Sequence, residues 1–181
     1  MKRQIFTLVL TTLCCLPASA QRTMDGQTSL CPSVVWTGSS FGAEAFFSRY
    51  TLGGFWETGI SAKQYNAPTT AGISISSLGI AAVGNYLFRL VGTRSRGVNL
   101  YGGAGAFLGY EAIDPMRRLP DSIQTSLDSG YFLYGLQAKL VAELFIAKKV
   151  AFILEGNIPV NFSSPMGRFH YDAGVGMKFL L

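Results

Sequence analysis

The residues best suited to nucleophilic or acid–base chemistry lie together near the C-terminus. His170 is the only histidine among 181 residues, Asp172 follows it at i+2, and Ser163 and Ser164 come shortly before it. A hydroxyl nucleophile, an imidazole base and an orienting carboxylate make a hydrolytic site when the fold brings them within hydrogen-bond reach. What these four groups can do therefore depends on which face of which element carries each of them.

The other residue types that carry chemistry have the wrong spacing for a cofactor or metal site. Gly102, Gly103, Gly105 and Gly109 fall one residue out of register with the dinucleotide-binding fingerprint, and no helical pattern follows them. No group of Cys, His, Asp and Glu has metal-ligand spacing, and a single histidine leaves a zinc site short of its usual ligands. The sequence therefore predicts neither a cofactor nor a metal ion.

The first twenty residues predict a cleaved secretory signal peptide. Lys2 and Arg3 precede an apolar run over residues 5–16, and a triplet of small residues ends at Ala20. Cleavage near Ala20 removes two of the three cysteines, so the exported chain keeps only Cys31 and cannot form an internal disulfide.

The composition of the remaining chain is unusual for a soluble domain. Of all residues, 49% are hydrophobic and 14% are charged, yet no run of about 20 apolar residues follows the signal, as a transmembrane helix requires. A transmembrane β-barrel spreads its hydrophobicity thinly, because lipid-facing and lumen-facing residues alternate. Without Lys2 and Arg3 the formal charge falls from +5 to +3 (13 basic minus 10 acidic residues), which is too weak and scattered to indicate nucleic-acid binding.

Period-two alternation is strongest at the C-terminus. Between residues 168 and 181 every odd position is apolar or aromatic, whereas the even positions include Arg168, His170, Asp172 and Lys178. Successive side chains of a strand point to opposite faces, so these ionisable groups share one face and can avoid lipid. The segment is therefore predicted to be a membrane strand.

Seven further segments alternate in the same way, and together they predict an all-β, antiparallel, up-and-down transmembrane β-barrel of about eight strands. An even number puts both chain ends on the periplasmic side, where the short links belong. The fourth segment shifts parity in its first residues, which indicates a bulge or a later start. The predicted strands cover residues 28–36, 41–49, 55–65, 73–90, 98–111, 131–146, 150–161 and 168–181. The chain is thus divided into a signal peptide (1–20), a short N-terminal segment (21–27) and an outer-membrane barrel domain (28–181).

Charged residues within these strands fall almost entirely on the inward parity. A Lys or Arg on the lipid face near the midplane costs roughly 2 to 4 kcal/mol, so this distribution is what a membrane barrel demands. Arg49 is the exception, and it stands at a strand end. The predicted lumen network, which would fill the interior, consists of Glu44, Glu57, Lys63, Arg89, Glu111, Lys139, Glu143, Glu155, Asp172 and Lys178.

This orientation bears on the histidine. Some eight-stranded barrels are lipid-modifying enzymes that use Ser and His, but such a site needs a lipid-accessible wall. Here His170 and Asp172 face the lumen near its outer rim, so we expect a polar rim pair and no enzymatic activity.

The long link over residues 112–129 is the candidate partner surface, because long loops carry function. A loop with no role beyond joining two strands is an equal alternative. The charged residues of this candidate partner loop are Asp114, Arg117, Arg118 and Asp121.

Three stretches of the chain resemble a known family. They are residues 46–51 with the following Gly53 and Gly54, residues 101–103 through 109–111, and residues 167–170 through 174–179. In this order they resemble the TraO family of conjugative transposon proteins. The resemblance implies a role in the envelope apparatus that passes DNA between cells, with no enzymatic activity and no catalytic residues to carry over.

Resemblance and physics together predict a structural outer-membrane component of a conjugative DNA-transfer (mating) apparatus in a Gram-negative-type cell. A filled eight-stranded barrel cannot conduct DNA, so it would anchor or assemble other conjugative-transfer envelope proteins. Its further expected partners are outer-membrane lipid and the barrel-insertion machinery, and no direct nucleic-acid binding is expected. The alternatives are a general small barrel for adhesion or envelope stability, a lipid-modifying enzyme, and a soluble lipocalin-like barrel with its apolar face inside.

Overall fold

The eight strands follow one another around a closed barrel, and the last one pairs with the first. The computed structural model describes residues 25–38, 40–68, 74–92, 97–113, 130–163 and 170–181. All neighbouring strands are antiparallel, which confirms the predicted up-and-down topology. The strands are β1 (Thr28–Thr37), β2 (Ser40–Tyr50), β3 (Gly54–Pro68), β4 (Ser74–Val91), β5 (Val98–Ile113), β6 (Gly130–Ala147), β7 (Val150–Asn161) and β8 (Asp172–Leu180).

Alternating burial along the strands sorts the side chains into two populations. In β2, buried and exposed residues alternate through all eleven positions. The outward positions carry large apolar side chains such as Phe47, Ile60, Leu108 and Leu140, which are 46 to 61% exposed. The charged side chains of the described strands take the inward positions, except Arg49, which is exposed at the turn end of β2. This arrangement contradicts the soluble lipocalin-like alternative, in which the apolar face would be inside.

The observed strand bounds differ from the predicted ones where the bounds depend on which residues the neighbouring strands offer for pairing. The strand β8 begins at Asp172 and not at residue 168, because Asp172 pairs with Thr37, the last residue of β1. Residues before Asp172 have no β1 residue left to pair with. The bulge considered for the start of β4 is not there: the register from Pro68↔Ser74 onward is continuous, and the irregularity falls between Arg89 and Val91.

The two ends of the barrel differ in their connections. The turn end carries the start of β1, the end of β8 and the links after β2, β4 and β6, of which the β6–β7 turn is only Lys148 and Lys149. At this end Gly92 has a φ of +110°, and a Cβ there would lie 2.4 Å from Asn99 Oδ1, so this position requires glycine. The loop end carries the β1–β2 turn and the links after β3, β5 and β7.

The wall is not of equal height. The strands β3 to β6 have 15 to 18 residues, whereas β1, β2, β7 and β8 have 9 to 12. The surplus lies at the loop end, where β6 residues 130–134 pair with β5 but not with β7. Likewise β3 continues past Lys63, the residue paired with Gly42 near the start of β2. We call this projecting part of β3 to β6 the palisade.

The described residues include no helix with the length and apolarity needed to cross a membrane.

Candidate functional site: the charged lumen

The lumen collects the charged residues that alternation assigned to the inner face. Of the ten predicted network residues, nine are buried and Arg89 is half-buried. Each of the three buried lysines contacts at least one carboxylate. Because a buried charge without a partner is far costlier than a paired one, the cations and anions must be placed together. The pairs form three clusters along the barrel axis.

The loop-end cluster consists of Glu44, Lys63 and Asp172. The Lys63 ammonium lies 2.8 Å from Glu44 Oε1 and 2.6 Å from Asp172 Oδ2. It thereby ties β2, β3 and β8 together across the lumen mouth. The two carboxylates are far apart in sequence, so the lysine closes a contact that local structure does not supply.

The central cluster consists of Glu57, Lys139 and Glu155. The Lys139 ammonium lies 2.7 Å from Glu57 Oε1 and 2.9 Å from Glu155 Oε2, and it sits 3.9 Å from the centroid of the Phe46 ring. A cation over an aromatic face gains further electrostatic stabilisation when it is removed from water. The side chains of β2, β3, β6 and β7 thus converge on one ammonium group.

Two amides extend the central cluster toward β4. Asn85 donates to Glu57 Oε1 at 2.7 Å, and Gln137 donates to Asn85 Oδ1 at 2.8 Å. Both residues are buried on the inward face. Our prediction considered only charged residues and missed them, although their parity is the signal that would have found them.

The turn-end cluster consists of Tyr50, Glu143 and Lys178. The Lys178 ammonium lies 2.5 Å from Glu143 Oε1, and the Tyr50 hydroxyl donates to the same oxygen at 2.7 Å. Aromatic rings close the cluster: Lys178 lies 3.9 Å from the centroid of Phe55, and Phe55 packs edge-on against Tyr101 at 4.8 Å. These rings fill the bore beside the periplasmic-side turns expected from the topology.

The two remaining network residues lie outside the three clusters. The Arg89 guanidinium is 5.9 Å from the centroid of the Tyr101 ring at the turn end. Glu111 accepts a 2.6 Å hydrogen bond from Ser77 Oγ at the loop end, where β4 and β5 enter the palisade. Both side chains therefore face the lumen, as their parity predicts.

The described residues of the loop-end half of the lumen enclose a small cavity. A cavity bordered by Lys63, Tyr65, Leu133 and Asn161 has a volume of about 20 Å³. That is room for about one water molecule. Below it the central and turn-end clusters occupy the bore. An eight-stranded barrel is in any case only wide enough for its own side chains to fill.

The predicted pair of His170 and Asp172 is not formed. Asp172 binds Lys63, while the His170 ring packs against Tyr65 with centroids 5.1 Å apart. Ser163 faces elsewhere: its hydroxyl donates to the Phe132 carbonyl at 2.6 Å and ties the start of β6. The predicted side-chain pair was wrong because Lys63 of β3 takes Asp172, whereas His170 lies on the same face of the wall as Tyr65, which borders the lumen cavity.

Metal-ligand geometry is not seen in the described part of the chain, where no three His, Cys, Asp or Glu side chains are arranged to hold an ion. Cys31 is buried and free, on the inward face of β1. Ser164 and the candidate partner loop residues Asp114, Arg117, Arg118 and Asp121 lie outside the described residues. The partner surface therefore stays a prediction.

The barrel is similar to those of three solved outer-membrane proteins. The N-terminal β-barrel domain of Pseudomonas aeruginosa OprF gives a TM-score of 0.55 at 12% identity, covering 90% of this chain and 100% of that one. OprG from Pseudomonas aeruginosa gives 0.61 at 8% identity, covering 89% and 99%. Ail, the attachment invasion locus protein of Yersinia pestis, gives 0.52 at 11% identity, covering 87% and 100%. At such identities the likeness establishes an outer-membrane-type fold and nothing finer.

Sequence comparison places the chain in a family. No curated protein matches it significantly. The family model described as conjugative transposon protein TraO matches residues 21–181, which is everything after the predicted signal peptide. This match confirms the resemblance carried by the three glycine and aromatic stretches. The chain belongs to the TraO family of conjugative transposon proteins.

Proposed function

We propose that this chain is a structural outer-membrane component of a conjugative DNA-transfer apparatus, which anchors or assembles partner proteins and does not conduct DNA. Family membership supports the link to conjugative transposons. The apolar outer wall supports a place in a membrane, since an exposed apolar surface of this extent is stable only against lipid or protein. On this proposal the barrel is exported by the signal peptide over residues 1–20, inserted by the barrel-insertion machinery and surrounded by outer-membrane lipid.

The observation that carries the proposal is the filled lumen. Lys63, Lys139 and Lys178 each hold carboxylates from other strands, so three cross-lumen clusters block the axis in succession. Opening a path would require breaking buried ion pairs, at roughly 3 to 5 kcal/mol for each cluster. A role that needs only the outer surface of the barrel fits this interior, and catalysis is not part of the proposal.

The palisade is the part of the barrel that reaches furthest toward partners. A transmembrane β-strand needs about 9–11 residues, whereas β5 and β6 have 16 and 18. The surplus of about six residues, at about 3.3 Å each and tilted by about 45°, raises the base of the 114–129 link roughly 15 Å above the membrane. The ends of β5 and β6, which carry this link, are at this height accessible to other envelope proteins.

Transfer frequency tests the proposal. We expect deletion of the gene in a donor strain to lower conjugation by orders of magnitude, and the wild-type gene to restore it. A chain in which residues 114–129 are replaced by a Gly/Ser linker should fail to restore transfer while remaining a heat-modifiable outer-membrane protein. Replacing residues 69–73 in the same way is the matched control, since this link also joins two strands of the palisade, β3 and β4.

The same strains separate the transfer role from the alternative of a general barrel for adhesion or envelope stability. Surface adherence and sensitivity to detergent should be unchanged in the deletion strain. Unchanged conjugation together with altered adherence or detergent sensitivity would replace the transfer role by that alternative. A change in lipid acylation that His170→Ala reproduces would instead make the protein a lipid-modifying enzyme.

A further inference from the structure

Among the described strand residues, one cation stands on the outer wall of the barrel, where apolar residues prevail. Arg49 is exposed at the turn end of β2, one residue before its last. Its side chain has no hydrogen bond, ion pair or ring contact with any other residue the structure describes. An arginine at this depth costs up to about 1 kcal/mol even near the interface, unless an anion neutralises it. Among the residues that the structure describes, no carboxylate pairs with Arg49.

An aromatic pair lies directly beside Arg49. Trp56 is the cross-strand partner of Arg49 and is 57% exposed. Tyr86 is the cross-strand partner of Trp56, and their rings stand 4.6 Å apart. Trp and Tyr at such positions lie at the level of the lipid headgroups, with the ring body toward the acyl chains. The cross-strand row of Arg49, Trp56 and Tyr86 therefore marks the headgroup level of the periplasmic leaflet.

An apolar groove begins where the aromatic pair ends. Thr58 and Gly84 lie two residues further along β3 and β4, face each other across the ladder, and border a concave region of about 890 Å³. Its floor is small because Ala82, Gly84 and Ala106 lie between bulkier side chains. A Cβ added at Gly84 would meet no atom within 4 Å, so the groove is open at this point. The groove runs on toward Tyr134 and Phe162 at the loop end.

The geometry points to a binding site for one anionic phospholipid, with its phosphate at Arg49 and an acyl chain in the groove. The cation and the groove are independent features. Trp56 and Tyr86 lie between them, so the three parts follow the order of a lipid's headgroup, interfacial region and acyl chain. Lipid is the occupant because the charge at one end and the apolar trough at the other match one amphipathic molecule. A second copy of this barrel would present apolar side chains to Arg49. The inference rests on the membrane location proposed above, but not on the transfer role.

Tryptophan fluorescence can test the site, because Trp36 and Trp56 are the only two tryptophans. Trp36→Phe leaves Trp56 as the sole reporter inside the site, and Trp56→Phe leaves Trp36 as a reporter on another part of the wall. Each protein is reconstituted in phosphatidylcholine vesicles that contain equal fractions of chain-brominated phosphatidylglycerol or chain-brominated phosphatidylcholine. Bromine quenches the tryptophan only when the lipid is in contact with it.

We expect the anionic lipid to associate with Trp56 about fivefold more strongly than the zwitterionic lipid, since one interfacial arginine contributes about that much. Trp36 should show no headgroup preference. Arg49→Gln should abolish the preference at Trp56, whereas Lys148→Gln, which removes an exposed cation from the β6–β7 turn, should leave it unchanged.

Gly84→Leu should reduce quenching by both lipids, and Ala173→Leu, on the outward face of β8, should not.

Equal quenching of Trp56 by the two lipids, or a preference that survives Arg49→Gln, would overturn the headgroup site. A dimer in detergent that Gly84→Leu dissociates would assign the groove to a second copy instead. A heat-modifiability gel on every sample shows that the variants are folded barrels. If the barrels fold in vesicles but show no preference, the lipid site fails while the proposed membrane location stands.

Discussion

At the scale of single residues, the lumen depends on a few lysines that each serve several strands. Lys139 touches Glu57, Glu155 and the Phe46 ring, and its side chain is 1% exposed. Buried ion pairs contribute little net stability compared with apolar packing, yet removal of one partner leaves the others uncompensated. The contribution of Lys139 to stability therefore depends on the carboxylates around it. The effects of substituting Lys139 and these carboxylates on the free energy of unfolding should not add.

Lys139→Met should lower the free energy of unfolding by about 3 to 5 kcal/mol, because two buried carboxylates lose their cation. Urea-induced unfolding in lipid vesicles measures the change. Lys148→Met removes an exposed lysine from the β6–β7 turn and should stay within about 0.5 kcal/mol of wild type. Adding Glu57→Gln and Glu155→Gln to Lys139→Met should recover much of the loss. If the triple variant were less stable than the single one, the ionic account of this cluster would be wrong.

At the scale of elements, most of the fold could be predicted from the alternation of polar and apolar residues in the sequence. A lipid-facing wall and a charged lumen force polar and apolar residues into a period of two, so strand number, facing and order follow from pattern alone. Cross-lumen partners do not follow from it. Whether Lys63 meets Asp172 depends on strand stagger around the whole barrel, which no local segment encodes. The start of β8 likewise depends on where β1 ends, because Asp172 pairs with Thr37.

Glycines on facing strands show how element packing limits sequence. Gly105 faces inward, and a Cβ there would lie 1.9 Å from Asn85 Oδ1 and 2.2 Å from the Gly84 carbonyl. Gly84 is next to it on the neighbouring strand but faces outward into open space. The narrow bore therefore requires glycine at one of these positions and not at the other.

Gly105→Ala should destabilise the barrel by about 1 to 3 kcal/mol, because Asn85 must move away from Glu57 and Gln137. Gly84→Ala should be neutral or stabilising by about 0.4 to 1 kcal/mol, since it restricts only the unfolded chain. Vesicle unfolding of the two variants side by side is the measurement, and each controls for the chemical change in the other. If both variants changed the free energy of unfolding equally, the inner face would not be more crowded than the outer face at these two positions.

At the scale of the whole molecule, the lumen is blocked and the strands β3 to β6 project beyond the others. Both features favour a role for the outer surface over a role for the bore. The turn-end cluster lies among Phe55 and Tyr101, and the central and loop-end clusters follow it along the axis. The strands of the palisade project only on the β3 to β6 side, so the loop end of the barrel has a one-sided edge. Such asymmetry suits a surface that binds in a fixed orientation.

The blocked interior makes a direct electrical prediction. Purified barrel reconstituted in a planar bilayer should show no stable conductance steps above background, because the loop-end void holds about 20 Å³ and the clusters beneath it are held by buried ion pairs. A general porin inserted in the same membrane serves as the positive control, and a heat-modifiability gel shows that the reconstituted protein is folded. Regular, long-lived openings in the wild-type protein would mean that the three clusters yield to solvent, and a conducting role would then replace the anchoring one.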